Sequence, residues 1–259
     1  MKHLSLSVTD RMALIGLNRG RSNAINAELL EELKMIFKSV QDDDNIAGVI
    51  IHGKEGFFSA GLDLIELYDY SEVEIRVFWE SFLSFIQSFT AFKKPVIAAI
   101  GGHSPAGGCV LALCCDYRIM AEGEFIIGLN EVPVGIIVPD AIFHLYSFWI
   151  GQARAYQYLL EGKLLNPEQA LKVGLIDELV NPASLRSRAE KQLKKYIQLE
   201  ANTWQQSKIN MRRELISKMS ENPTATLDVM LQQWWSPSTR SILKTIIENL
   251  KGGKTNGSN

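Results

Sequence analysis

The chain has 259 residues and a formal net charge of −2, with 27 Lys and Arg against 29 Asp and Glu. That balance excludes a general nucleic-acid binder, which needs a basic stripe. Apolar residues at 46% and charged residues at 22% are ordinary globular usage. They exclude extended disorder and leave one large domain, or a domain with an appendage.

In chain order, Met12–Leu17, Ala47–Ile51, Pro95–Ile100 and Tyr117–Ala121 read as strands. Between the first two, Leu29, Leu33, Ile36, Phe37 and Val40 share one helix face, and Asn26 is placed to cap that helix. A second helix starts at Ser71, where Glu74 completes a capping box, and runs to about Phe92. Phe78, Phe82, Phe85 and Phe89 lie on one face, and Ile75, Trp79, Leu83 and Ile86 on the next. So apolar a helix needs cover on more than one side, from the core, a partner or an acyl ligand. The core is the ordinary reading. Strands alternating with helices imply an α/β architecture with crossover connections. From about residue 140 the pattern turns helical, over 140–161, 167–173, 182–200, 203–219 and 224–250. Asn166-Pro167-Glu168-Gln169 marks one helix start, and the tail 252–259 reads as disordered.

The stretch Pro95–Cys115 has no Asp, Glu, Lys or Arg. Its glycine pairs, His103 and Pro105 favour a buried strand, a turn and a helix over a membrane span. The three cysteines, Cys109, Cys114 and Cys115, are too clustered for a disulfide framework and suit a reducing compartment. None of His3, His52, His103 and His144 has zinc-ligand spacing to them. The opening MKHLSLSV lacks the apolar core of a signal peptide, no transit peptide stands out, and the closing Gly257-Ser258-Asn259 is not a peroxisomal address. The cytoplasm is the expected location.

Three segments carry chemistry. In residues 57–64 the small side chains of Ser59, Ala60 and Gly61 let another group approach the backbone, although an ordinary strand-to-helix turn looks the same. In residues 101–113 a strand leads through glycine pairs into a tightly packed helix beginning near Gly108. The first N–H groups of a helix lack internal partners and carry the positive end of its dipole, so this is a site for an anion or oxyanion. Close helix packing is the plain alternative. The segment is neither a P-loop nor a dinucleotide fingerprint. It approaches a nucleophile elbow at Ser104, but the next residue is Pro105, which has no N–H to donate. In residues 125–135 Glu131 stands among apolar neighbours. Burial raises a carboxyl pKa and makes a stronger base, whereas an exposed or ion-paired Glu would be inert.

Together the strings FSAGLDL (58–64), PAGGCVLALCCDYRI (105–119), IGLNEVPVGI (127–136) and NPEQALKVGLIDELV (166–180) resemble the enoyl-CoA hydratase/isomerase (crotonase) superfamily, from about residue 5 to 250. Within it the strings are most similar to the Δ3,Δ2-enoyl-CoA isomerases. The resemblance implies an α/β fold, a repeated ββα spiral over 1–200, with a helical region at 201–251 that builds a homotrimer or a dimer of trimers. It implies an acyl-CoA substrate, no metal and no separate cofactor. It places the thioester oxygen on the backbone N–H groups of Leu62 and Gly107. The carbonyls of Ala60 and Leu64 would receive the adenine amino group, with the Asn23-Ala24 turn nearby. Family hydratases carry a first carboxylate where this chain has Val110, and the second matches Glu131. One base above an oxyanion site suits a proton shift better than addition of water. The rival readings are another reaction on this fold (hydration, decarboxylation, hydrolysis) and a non-catalytic acyl-CoA binder.

The other polar residues take plainer roles. Asp116 is expected to be structural, Asp63 to cap or pair, and the cysteines to fill core. Trp234-Trp235 are expected to pack or meet a subunit. His103 and His144 are candidates for a water or substrate contact, and Lys208, Lys244 and Lys251 for CoA phosphates.

Overall fold

A computed structural model of the chain describes residues 1–220 and 223–252. The elements are β1 (Leu4–Thr9), β2 (Met12–Leu17), α1 (Ala27–Asp42), β3 (Gly48–His52), β4 (Gly56–Phe57), α2 (Leu64–Leu67), α3 (Glu72–Thr90) and β5 (Val96–Ile100). There follow β6 (Gly102–Pro105), α4 (Gly107–Cys114), β7 (Tyr117–Ala121), β8 (Ile127–Gly128), α5 (Asp140–Ile150), α6 (Gln152–Glu161), β9 (Leu164–Leu165) and α7 (Pro167–Val173). The chain then forms β10 (Glu178–Val180), α8 (Leu185–Ile197), α9 (Ala201–Met219), α10 (Pro223–Trp234) and α11 (Pro237–Gly252).

Two sheets result, in the orders β1-β2-β3-β5-β7-β10 and β4-β6-β8-β9. The chain repeats one move: β3, β5 and β7 each join the large sheet in parallel, the next strand joins the small sheet, and a helix follows. This is the expected ββα spiral. The inner strands of the large sheet, β2, β3, β5 and β7, are covered on both faces. Ile15, Val49, Ile51, Ala98 and Ile100 face the main core, and Met12, Ile50, Ile97 and Ile119 meet Ala189 and Leu193 of α8. Parallel strands covered on both sides read as continuous apolar runs, which is why these strands were visible in the sequence.

The caps form as expected. Asn26 Oδ1 accepts from Leu29 N at 3.0 Å. Ser71 with Glu74, and Asn166 with Gln169, close capping boxes. Helix lengths differ where breakers act. The helix expected over 140–161 divides at Gly151 into α5 and α6, and that over 224–250 divides into α10 and α11 before Pro237, whose missing N–H fits only a first turn. The stretch expected helical from 182 begins as a 3-10 turn at Pro182–Ser184 before α8. Glu200 caps α9 through Asn202 N and Thr203 N, starting it before the expected 203. Strands β1, β4, β6, β8, β9 and β10 were not anticipated. Gly252 ends α11, and the rest of the expected disordered tail lies outside the described residues.

Cys109, Cys114 and Cys115 are free and buried. No helix among the described residues is long and apolar enough to cross a membrane. Asp116 has the structural role expected of it: it accepts from Val96 N at 2.8 Å and pairs with Lys208 at 2.7 Å and Arg212 at 3.1 Å. Arg212 also reaches Thr90 O and Cys114 O, so α9 is tied to the ends of α3 and α4.

Candidate active site

Strand β6 ends at Pro105, and Ala106 turns the chain sharply with φ +48° while its N–H donates to Gly128 O at 2.8 Å. Helix α4 therefore starts at Gly107, whose N–H is one of the first-turn donors without a helical acceptor. Gly61 passes directly in front. A Cβ there would lie 2.9 Å from Ala106 Cβ and 3.0 Å from Gly107 N, and its φ is +89°. Only glycine permits that approach and that backbone.

The next residue, Leu62, forms a parallel bridge with Ile25. Ile25 N donates to Gly61 O at 2.8 Å and Asp63 N donates to Ile25 O at 2.9 Å. In a parallel bridge of this pattern the intervening residue turns its own N–H away from the partner strand. The N–H of Leu62 is thus left free of the bridge. Leu62 and Gly107 line one cavity of about 330 Å³.

Glu131 lines the same cavity. It heads the 3-10 turn Val132–Val134, and its carbonyl accepts from Val134 N at 3.1 Å and Ile136 N at 2.9 Å. The residue is 6% exposed, and its Oε2 has no hydrogen-bond partner among the described residues. Burial pushes the carboxyl up to about 7. A carboxyl kept dry and without an ionic partner is a base poised near neutrality.

The expected Ala24, Ala60, Leu64 and Val110 also line the cavity. Asn23 does not, which corrects its assignment to CoA binding. It is fully buried with φ +51°, accepts from Arg19 N at 2.9 Å and donates to Phe58 O at 3.1 Å. Its N–H donates to Arg19 O and its carbonyl accepts from Ser59 Oγ. Every polar group it owns is engaged in shaping the loop. Asp63 caps α2 and pairs with Arg19 at 2.7 Å, as expected.

Lys208 is corrected as well. It is buried, bonded to Asp116 and to Lys94 O at 3.1 Å, and does not line this cavity. Lys244 and Lys251 are exposed on α11. His103 accepts from Ile126 N at 3.2 Å between the rings of Phe57 and Phe125, and His144 sits beside Phe143. Neither histidine lines the cavity. Ser104 is buried off the cavity, consistent with rejection of the hydrolase reading. Trp234 is buried and Trp235 packs on Arg240, so both pack.

Sequence reasoning missed the apolar wall: Trp79 and Phe82 from α3, Ile142 from α5, Val134 and Ile136 after the base, and Ile246 and Leu250 from α11. The aromatic helix carried the signal for Trp79 and Phe82; nothing local marked Ile246 and Leu250. Among the described residues no group of three or more His, Cys, Asp or Glu is placed to hold a metal ion.

A spiral of ββα turns that brings a helix N-terminus and one dry carboxyl to an apolar cavity is a crotonase-type fold, and human mitochondrial delta3-delta2-enoyl-CoA isomerase has the same fold in its crystal structure. That structure superposes with a TM-score of 0.93 at 29% identity, covering 97% of this chain and 99% of the other. The chain belongs to the enoyl-CoA hydratase/isomerase family, whose pattern matches residues 8–248, and is an enzyme of that family. It is 32% identical over 245 residues to mouse enoyl-CoA delta isomerase 1, mitochondrial, covering 94% of this chain and 85% of the relative. It is 31% identical over 192 residues to the crotonyl-CoA hydratase of Syntrophomonas wolfei, covering 73% of this chain and 74% of that relative.

Proposed function

We propose that the protein is an isomerase that moves the double bond of a 3-enoyl-CoA to give the trans-2-enoyl-CoA. The observation that carries this reading is one carboxyl without an ionic partner, Glu131, lining the same cavity as the two N–H donors, with Val110 where a second acid would stand; the other lining carboxyl, Asp63, is tied to Arg19 and caps α2. The thioester oxygen sits against the N–H groups of Leu62 and Gly107, which form an oxyanion hole. Glu131 takes a proton from C2. The electron pair spreads over the dienolate, and charge on the thioester oxygen is met by the end of α4. Protonated Glu131 then returns the proton at C4, so atoms balance without an outside donor. Coenzyme A is part of the substrate, and the chemistry calls for no separate cofactor. The carbonyls of Ala60 and Leu64, with Ala24 close by, are the proposed contacts to the adenine end.

The helices over 201–251 are the proposed oligomerisation region of a homotrimer or dimer of trimers. The three buried thiols suit a reducing compartment, and the cytoplasm is the proposed one. A hydratase is the second reading, favoured by the likeness to the crotonyl-CoA hydratase. It requires Glu131 alone to activate water and relay the proton. The test is a paired assay with 3-enoyl-CoA and 2-enoyl-CoA esters of several chain lengths. Conjugation formed faster than it is consumed supports the isomerase. Faster hydration overturns it, and binding without deuterium exchange at C2 would leave a non-catalytic binder.

A further inference from the structure

The turn that carries Glu131 is gripped from outside its own segment. Thr239, fully buried near the start of α11, donates its hydroxyl to Gly135 O at 2.9 Å. The same Oγ1 accepts from Gln233 Nε2 at 2.9 Å, so its proton is committed to Gly135. Gly135 has φ +80°, and a Cβ on it would lie 2.9 Å from Thr239 Oγ1. Its N–H closes the 3-10 turn on Val132 O at 3.0 Å, and the next N–H, that of Ile136, returns to Glu131 O. One peptide turn therefore separates the hydroxyl from the base. On the other side Pro133 rests on Gly162 at the end of α6, where a Cβ would lie 2.2 Å from its ring.

Helix α11 is also the cavity wall. Ile246 and Leu250 line the cavity further along it. Arg240, adjacent to Thr239, fixes the helix to the end of α2, donating to Tyr68 O at 2.9 Å and lying 3.4 Å over the Tyr68 ring.

We propose that Thr239 is a positioning residue, whose hydroxyl ties the wall helix to the turn bearing Glu131 and keeps that carboxyl aimed and dry. The proposal rests on Glu131 as the base. It means that an acyl group lying along Ile246 and Leu250 steadies the base through α11, so fit at the wall is read in turnover as well as in binding. With Oε2 unpartnered and no ion pair to fix it, the carboxyl depends on its turn and its packing for its geometry, and misplacement by about 1 Å can cost roughly a hundredfold in rate.

Water admitted by a loosened turn would lower the Glu131 pKa from its raised position. The titratable groups facing it do not oppose that direction. Cys109 on α4 and Tyr146 on α5 are buried thiol and phenol whose own ionisation is pushed upward. Asp63 on the cavity rim is paired with Arg19, Lys163 at the end of α6 lies over Tyr158, and Arg240 is stacked on Tyr68.

The test compares Thr239→Val, which keeps the shape and removes the hydroxyl, with Thr239→Ser, which keeps the hydroxyl. Two readouts are taken: kcat and KM across pH with 3-enoyl-CoA esters, and the infrared carboxyl band of Glu131, assigned by its loss in Glu131→Gln. The expected result for the valine variant is a kcat lower by roughly tenfold or more, a smaller change in KM, and a Glu131 titration moved downward. The serine variant should restore both. A valine variant with the parent's kcat and titration overturns the proposal, as does a serine variant as impaired as the valine one. The infrared arm needs no turnover. If the parent does not isomerise, the proposed function fails, while an unmoved titration in the valine variant would sink the clasp by itself.

Discussion

Glu131→Gln separates the chemistry of the base from its packing, because the two respond in opposite directions. The amide has nearly the carboxyl's shape and cannot take a proton. General acid–base catalysis contributes roughly 10²–10⁴-fold, and the other carboxyl lining the cavity, Asp63, is held in an ion pair with Arg19, so turnover should fall by about 10³ or more. Stability should change the other way at high pH. Burial lifts the carboxyl from 4.5 to about 7. Between those values the folded chain holds a proton that the unfolded chain has released. Stability therefore falls as pH rises across that window, and the cost stays constant above it. Each pH unit is worth about 1.4 kcal/mol, which gives roughly 3 kcal/mol for a group this buried. The glutamine variant carries a constant penalty for its extra buried donor but none of this slope. Urea unfolding at pH 5 and pH 8 should show the parent losing roughly 2–3 kcal/mol more than the variant between the two. The parent's kcat/KM should rise with pH through about 7 and then level, as the base ionises. Equal pH slopes of stability in the two proteins, or a variant keeping over a tenth of the turnover, would refute the reasoning.

Three other substitutions probe separate parts. Val110→Glu places an additional carboxyl, free of the Asp63–Arg19 pair, in the cavity wall; hydration of 2-enoyl-CoA should rise above the parent's while thermal stability drops, measured by product formation and a melting curve. Gly61→Ala puts a methyl about where Gly107 N must meet its ligand; isomerisation should fall about 10²–10³-fold, the worth of a lost oxyanion donor, and an unaffected rate would show the donors misassigned. Asp116→Asn leaves Lys208 and Arg212 buried without their counter-charge; stability should fall by about 3–5 kcal/mol, read by urea unfolding, with KM for the acyl-CoA unchanged.

The parts of the fold that were legible are those where burial writes a period. Strands β3 and β5 are apolar on both faces, β7 is so apart from the buried Arg118, and α1 shows a single stripe. The small sheet was not legible because β4, β8 and β9 are two residues long, too short for any alternation. Strand β1 did carry one, in Leu4-Ser5-Leu6-Ser7-Val8, but it lies at the sheet edge with Leu6 and Val8 exposed, and its register is fixed by β2. Helices were located well and divided poorly, since a break at Gly151 or before Pro237 interrupts the backbone without interrupting the apolar pattern.

The site divides along a different line. Its two proposed donors are main-chain groups, and Leu62 can have any side chain, so the donors themselves leave no trace. Their neighbours do: Gly61 must be bare for α4 to come within reach, and that necessity is what the glycine-rich strings record. Asn23 misled for the converse reason, as a polar residue in a loop that is wholly engaged within the protein. Thr239 and the α11 wall were invisible because their partner, the turn after Glu131, lies far away in sequence. The proposed donors would serve any reaction that builds charge on a thioester oxygen, so by themselves they leave the family's reactions undivided. On the proposed mechanism that division rests on how many carboxyls reach the cavity. Replacing an acid by valine removes the group that could carry a second proton while leaving the anion site intact. On that mechanism one buried side chain biases a shared scaffold from adding water toward moving hydrogen.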